Sequence, residues 1–248
     1  MPEFCDDTEL GYVRSRTPFA EDEPMRLDDA YRLAHLPLLA PDHPRAIHKG
    51  DGYEMGRHQR VFSLVLPVPF ESLRAAPAYR ELEAELAAQN FASKLAWDLV
   101  DRRGAKLHAT LCGRLATGET PPGLSPPALR ALEQLGPVTV ELRGLFSGNV
   151  NLGRLYLRAY PERREGANPF QRMQQLLGRP RTDLYLVGLH NLVDDLDAGE
   201  ASALAALIAR WWERPILRFS AEFLWLLGSK DDLVLDSSVA QTVRLGPP

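Results

Sequence analysis

Lys106-Leu107-His108-Ala109-Thr110-Leu111 is the stretch from which the fold is read. Apolar Leu107, Ala109 and Leu111 alternate with His108 and Thr110, the two-residue period of a half-buried strand. The apolar three point to a core. His108 and Thr110 share the opposite face, about 7 Å apart along the strand. His108 stands 29 residues before Pro137, which opens PVTVEL, and Leu186, in LYLVGLHN, stands 29 residues before Pro215, which opens PILRFSAEF. In both halves a strand is followed by a loop, a helix and a strand that opens on proline.

Further strands are expected at 61–66, 138–145, 152–160, 182–191 and 216–224, with a last hairpin inside 226–235. The turn SGNVN joins the second and third of these. Helices are expected at 78–90, with a Leu82/Leu86 seam, and at 126–135, 169–177 and 198–212. This order predicts an α+β fold of two related lobes, each an antiparallel sheet with helices on one face. Residues 1–60, rich in Asp, Glu, Pro, His and Gly, are expected to form a partly irregular acidic arm wrapping a bilobed body over 61–248.

Composition narrows the function class. With 45% hydrophobic and 25% charged residues, the 248-residue chain is neither disordered nor fibrous. No apolar run approaches the roughly 18–20 residues of a membrane span. The opening MPEFCDDTEL is acidic, unlike a secretory or transit peptide. Cys5 and Cys112 are too few for a disulfide framework or a cysteine zinc site, so a cytoplasmic location is expected.

The net charge of −4 is uneven: residues 1–30 carry nine acids and three arginines, so the rest of the chain is mildly basic. The distribution leaves room for a phosphate ligand under an acidic leader that is expected to cover the binding cleft and compete with it. Strong double-stranded DNA binding is not expected. Arginine supplies 25 of the 29 basic residues, which suits two-pronged phosphate recognition and equally reflects GC-rich codon usage.

P-loop, GxSxG, HExxH and post-strand GxGxxG signatures are absent. His108 and Thr110 together can do phosphoryl chemistry: an imidazole passes a proton near neutral pH, and a hydroxyl donates to a phosphate oxygen. A half-exposed strand whose His and Thr face water gives the same pattern.

LHATL, placed after a first strand and helix, resembles the first HxT motif of the two-histidine phosphoesterase superfamily, relatives of RNA 2′,3′-cyclic phosphodiesterases and 2′–5′ RNA ligase-like proteins. The resemblance spans 61–245. It implies a central cleft between the lobes and a metal-independent, cofactor-free phosphoesterase acting on a cyclic phosphodiester of a nucleotide or RNA end, with His108 as acid/base and Thr110 on the phosphate.

The second motif departs from that pattern. Its positions fall on Leu186 and Gly188, neither of which transfers a proton or binds phosphate through its side chain. His190, on the same face if alternation continues, is the candidate second catalytic residue. Three outcomes stay open: His190 acts, His108 acts with some other group, or the protein binds a nucleotide or RNA end without turnover.

The segment 152–160 places Arg154, Tyr156 and Arg158 on one strand face, where they can grip a phosphate and stack a base, or simply face solvent. His43, His48 and His58 read as solvated loop residues. Asp194, Asp195 and Asp197 read as helix-capping groups, and Trp211 as a core anchor.

Overall fold

The computed structural model describes residues 2–149 and 151–246; Val150, inside the expected SGNVN turn, and Pro247–Pro248, at the end of the expected body, lie outside them. Short helices α1 (Tyr12–Ser15), α2 (Asp29–Ala34) and α3 (Leu36–Leu39) and a small hairpin of β1 (Lys49–Gly50) and β2 (Tyr53–Glu54) lead into β3 (Arg57–Pro67). Helices α4 (Phe70–Ala75), α5 (Pro77–Ala87) and α6 (Leu99–Arg103) precede β4 (His108–Thr117). Then come α7 (Pro126–Leu135), β5 (Val138–Ser147), β6 (Arg154–Pro161), α8 (Pro169–Leu176), β7 (Leu186–Asn191), α9 (Ala198–Trp211), β8 (Pro215–Ala221), β9 (Phe223–Asp231) and β10 (Ser237–Arg244).

The fold is α+β, built on antiparallel pairing. One half-sheet runs β10-β9-β3-β4, the other β7-β6-β5-β8, and they meet at the pair Ala109↔Val187. The repeat that equates His108 with Leu186 also equates Ala109 with Val187, so the seam joins equivalent points of the two halves.

Helix α9 shows why the segments fold as they do. Asp197 and Glu200 form a reciprocal capping box, and Ala201, Leu204, Leu207, Ile208 and Trp211 recur at helical spacing on its buried face. It lies on β5 so closely that a Cβ at Gly144 would come within 1.6 Å of the Trp211 carbonyl oxygen, so only glycine fits there.

Two sequence expectations are corrected. The predicted strand 216–224 is divided at Glu222, because β8 completes the second half-sheet while β9 crosses back to pair with β3. The last hairpin therefore runs β9–β10, later than 226–235. Its turn is held by the Asp231 carboxylate, which accepts from the backbone N–H groups of Leu233, Leu235 and Asp236 at 2.7–3.0 Å.

The acidic segment is not loose. Cys5, Leu10, Tyr12, Met25, Leu27 and Tyr31 belong to the main core. The Tyr12 hydroxyl donates to the Ala159 carbonyl at 2.7 Å, and Arg163 is held by Glu3, Asp6 and Glu9. These apolar side chains have no regular spacing; their burial is set by the surfaces they lie on, β5–β6 for Tyr12, and Gly153 with residues 192–196 for Met25, Leu27 and Tyr31.

Candidate functional site

His108 begins β4 and Leu186 begins β7. Across the Ala109↔Val187 seam, His108, Thr110, Leu186 and Gly188 line one cavity of about 380 Å³. Its walls also carry Arg103 from α6, Lys106, Arg154 and Tyr156 from β6, His58, Asp231 and Asp232.

The half-buried His108 ring places Nδ1 2.7 Å from the Lys106 carbonyl. A carbonyl only accepts, so Nδ1 carries the proton and Nε2 is left with its lone pair. Loss of water pushes the imidazole down to about 4. The Lys106 carbonyl opposes that shift, and the Arg154 and Arg103 charges add to it. His108 is therefore neutral at pH 7. Thr110, two residues on, is exposed.

Arg154 lies against Gly188, the β7 position that the repeat equates with Thr110. A Cβ built on Gly188 would lie 2.5 Å from one terminal guanidinium nitrogen, 2.9 Å from Nε and 3.0 Å from Cζ. The guanidinium thus fills the room a side chain at 188 would need, and it also lies 5.2 Å from the Tyr156 ring centre. Arg154 has no carboxylate partner among the described residues, and its Nε is buried without an acceptor. Arg103 is likewise without a carboxylate; one terminal nitrogen donates to the Leu189 carbonyl at 2.6 Å and its buried Nε is unpartnered. The cavity's own carboxylates are engaged elsewhere. Asp231 holds the β9–β10 turn, and Asp232 accepts from Tyr53 at 2.9 Å and faces His58 at 3.3 Å.

Two expected site residues lie elsewhere. His190 does not line the cavity. Tyr156 pairs with Gly188 but Leu155 pairs with His190, so Leu189 is an extra residue in β7. This β-bulge reverses the alternation and turns His190 to the core face beside Leu155. There it is fully buried, its Nε2 2.6 Å from Glu83 Oε1 and its ring edge-on to Trp97.

Arg158 is also fully buried. The arm covers it: its guanidinium meets Asp7, the Tyr160 hydroxyl and the Trp212 carbonyl, and stacks 3.8 Å from the Trp212 ring centre. Of the predicted stripe, Arg154 and Tyr156 reach the cavity. Among the described residues none before His58 lines the cavity, so the acidic leader forms no part of its wall.

Sequence reasoning missed Arg103 and His58. Arg103 follows Leu99 and Val100 at helical spacing, and all three are buried, so a basic residue on an apolar helix face was the available signal. His58 is not a solvated loop residue: Nδ1 lies 2.6 Å from the Gln59 carbonyl and Nε2 faces Asp232. With acceptors at both nitrogens the imidazolium is favoured, and its pKa is raised, chiefly by Asp232.

Among the described residues no cluster of three or more His, Cys, Asp or Glu is placed to hold a metal ion, and no helix is long and apolar enough to cross a membrane. No protein-family model matches the chain, and no curated protein matches it. Among solved structures, the crystal structure of TT0787 of Thermus thermophilus matches 76% of this chain and 100% of its own, at 16% identity and a TM-score of 0.41.

Proposed function

We propose that the cavity recognises the phosphate of a nucleotide or RNA end, with Arg154, Arg103 and Thr110 on the phosphate oxygens and His108 as the one proton-transferring group. The observation that carries this is the Arg154 guanidinium, without a carboxylate partner among the described residues, held over Gly188 in the same cavity as His108 and Thr110. Planar guanidinium groups and hydroxyls are the donors that match phosphate oxygens. The resemblance of LHATL to an HxT motif supports the same ligand class. Leu186 in the second histidine position, with His190 on the far face, argues for recognition without two-histidine turnover.

Hydrolysis of a cyclic phosphodiester is the second reading, favoured by the His108 tautomer. Nε2 can take a proton from water as the water oxygen attacks phosphorus, and the imidazolium can return that proton to the ribose oxygen as the ring P–O bond breaks. The experiment is calorimetric titration of the full chain with adenosine 2′,3′-cyclic and 3′-phosphates, followed by chromatography of each mixture. Saturable binding without new product is the expected result. Conversion abolished by His108→Ala establishes the phosphoesterase instead, and no binding of either ligand refutes phosphate recognition.

A further inference from the structure

The wall of the cavity carries more cationic side chains than its carboxylates answer. Arg103, Lys106 and Arg154 stand against two carboxylates, Asp231 and Asp232, around His108, Thr110 and the Tyr156 phenol. None of Arg103, Lys106 and Arg154 has a carboxylate partner among the described residues; the Lys106 ammonium is given to the Ser237 carbonyl at 2.5 Å. The carboxylates cannot swing in without cost, since Asp231 anchors three backbone N–H groups and Asp232 holds Tyr53 and His58.

We infer that the site selects a phosphate monoester dianion, the terminal phosphate of a nucleotide or oligonucleotide, over the monoanionic cyclic phosphodiester. The inference rests on the phosphate-recognition reading above and adds the charge state of the ligand.

Three features of the cavity lead to it. Arg103 and Arg154 are fixed charges with buried Nε atoms, and a charge so placed attracts a second ligand charge more strongly than it would in bulk solvent. Two guanidinium groups approaching from α6 and β6 offer separate prongs, which a monoester with three terminal oxygens can meet and a cyclic diester with two free oxygens meets less fully. His108 then gains from the ligand: a dianion cancels the field of Arg103 and Arg154 that helps keep the ring neutral, so the bound phosphate and the imidazole can share a proton. Thr110 completes the donor set. A cavity of about 380 Å³ is of a size that takes a phosphate with its attached sugar.

The test is calorimetry on the full chain at pH 7.5 with adenosine 3′-phosphate, adenosine 5′-phosphate, inorganic phosphate and adenosine 2′,3′-cyclic phosphate, for the wild type and Arg154→Ala. At this pH the monoester is mostly a dianion, its second pKa being about 6. Adenosine 3′-phosphate is expected to bind at least tenfold more tightly than the cyclic ester, and Arg154→Ala to collapse that preference severalfold. The 5′-phosphate and inorganic phosphate arms separate recognition of the phosphate from recognition of the sugar position. Equal or tighter binding of the cyclic ester overturns the inference and leaves phosphate recognition standing. A preference that Arg154→Ala leaves intact also overturns it, because the selecting charge is then elsewhere. Failure of all four ligands to bind overturns both.

Discussion

Gly188→Ala isolates the Arg154 guanidinium with one methyl group. The added Cβ falls 2.5, 2.9 and 3.0 Å from three atoms of the Arg154 guanidinium, all inside van der Waals contact, so the guanidinium must leave its place. The backbone at Gly188 accepts alanine, since its φ lies outside the left-handed region. Replacing a strand glycine by alanine gains roughly 0.5–1 kcal/mol. Disturbing the Arg154–Tyr156 contact costs about as much, so stability is expected to change by less than about 1 kcal/mol. Binding is expected to change far more.

A charge-assisted hydrogen bond contributes about 1.5–3 kcal/mol, which is a loss of roughly 10- to 150-fold in affinity. The assay is calorimetric titration with adenosine 3′-phosphate, with thermal unfolding as the control on the fold. Arg154→Ala and the double variant complete a cycle: both single changes act through one guanidinium, so the double variant is expected to bind no more weakly than Arg154→Ala alone. Wild-type affinity in Gly188→Ala, or losses that add in the double variant, would refute the placement of Arg154.

The other predictions concern the groups around the cavity. Stability is expected to fall in acid, because burial holds His35 at about 3 and His108 at about 4, both below the ordinary 6.5. The unfolded chain then takes up protons as pH drops through 6.5 that the folded chain refuses. Each histidine costs up to about 1.4 kcal/mol per pH unit below that point, so urea midpoints should drop between pH 7.5 and 5.0. His35→Phe, which keeps the stack on Tyr31, should flatten the drop, and an unchanged slope would count against it. His190→Gln should lower stability by about 1–3 kcal/mol through the lost contact to Glu83 and leave adenosine 3′-phosphate affinity unchanged. Weakened binding would put His190 back in the site. Arg158→Met should release the arm at a cost of about 3 kcal/mol, read as faster proteolytic cleavage before residue 26. An arm that stays protected would show that the core contacts of Tyr12 and Leu10 suffice.

What could be read from the sequence was local. LHATL carries its period, its two faces and its polar pair within five residues, and the 29-residue spacing matched His108 to Leu186; that β7 starts only at Leu186, and that Ala109 pairs with Val187, it did not announce. His190 could not be placed because one inserted residue, Leu189, reverses a strand's faces without altering the apolar pattern around it. Arg158 could not be placed because the face it shares with Tyr156 is divided by the arm, which is more than a hundred residues away in sequence. The division of 216–224 between two half-sheets depends on pairing with β3 and β5, which no feature of that segment announces.

Gly188 with Arg154 above it stands where the 29-residue repeat would place a partner for Thr110, and it sets what the cavity can do. A histidine and a threonine would offer a mobile proton and a neutral donor. Leu186 and a guanidinium offer an apolar wall and a fixed positive charge. A fixed charge that holds ligand and transition state alike tightens binding without lowering the barrier between them. Opening a cyclic phosphodiester turns a monoanion into a dianion, which the two guanidinium groups hold more firmly than the starting ester. A protein of this design that does open the ring through His108 is therefore expected to stall on its own product. With cyclic adenosine phosphate in at least tenfold molar excess over the protein, product should approach one equivalent per site and then slow at least tenfold. Adenosine 3′-phosphate added beforehand should suppress even that first equivalent. Steady multiple turnover, insensitive to added monoester, would mean that Arg103 and Arg154 do not face the phosphate.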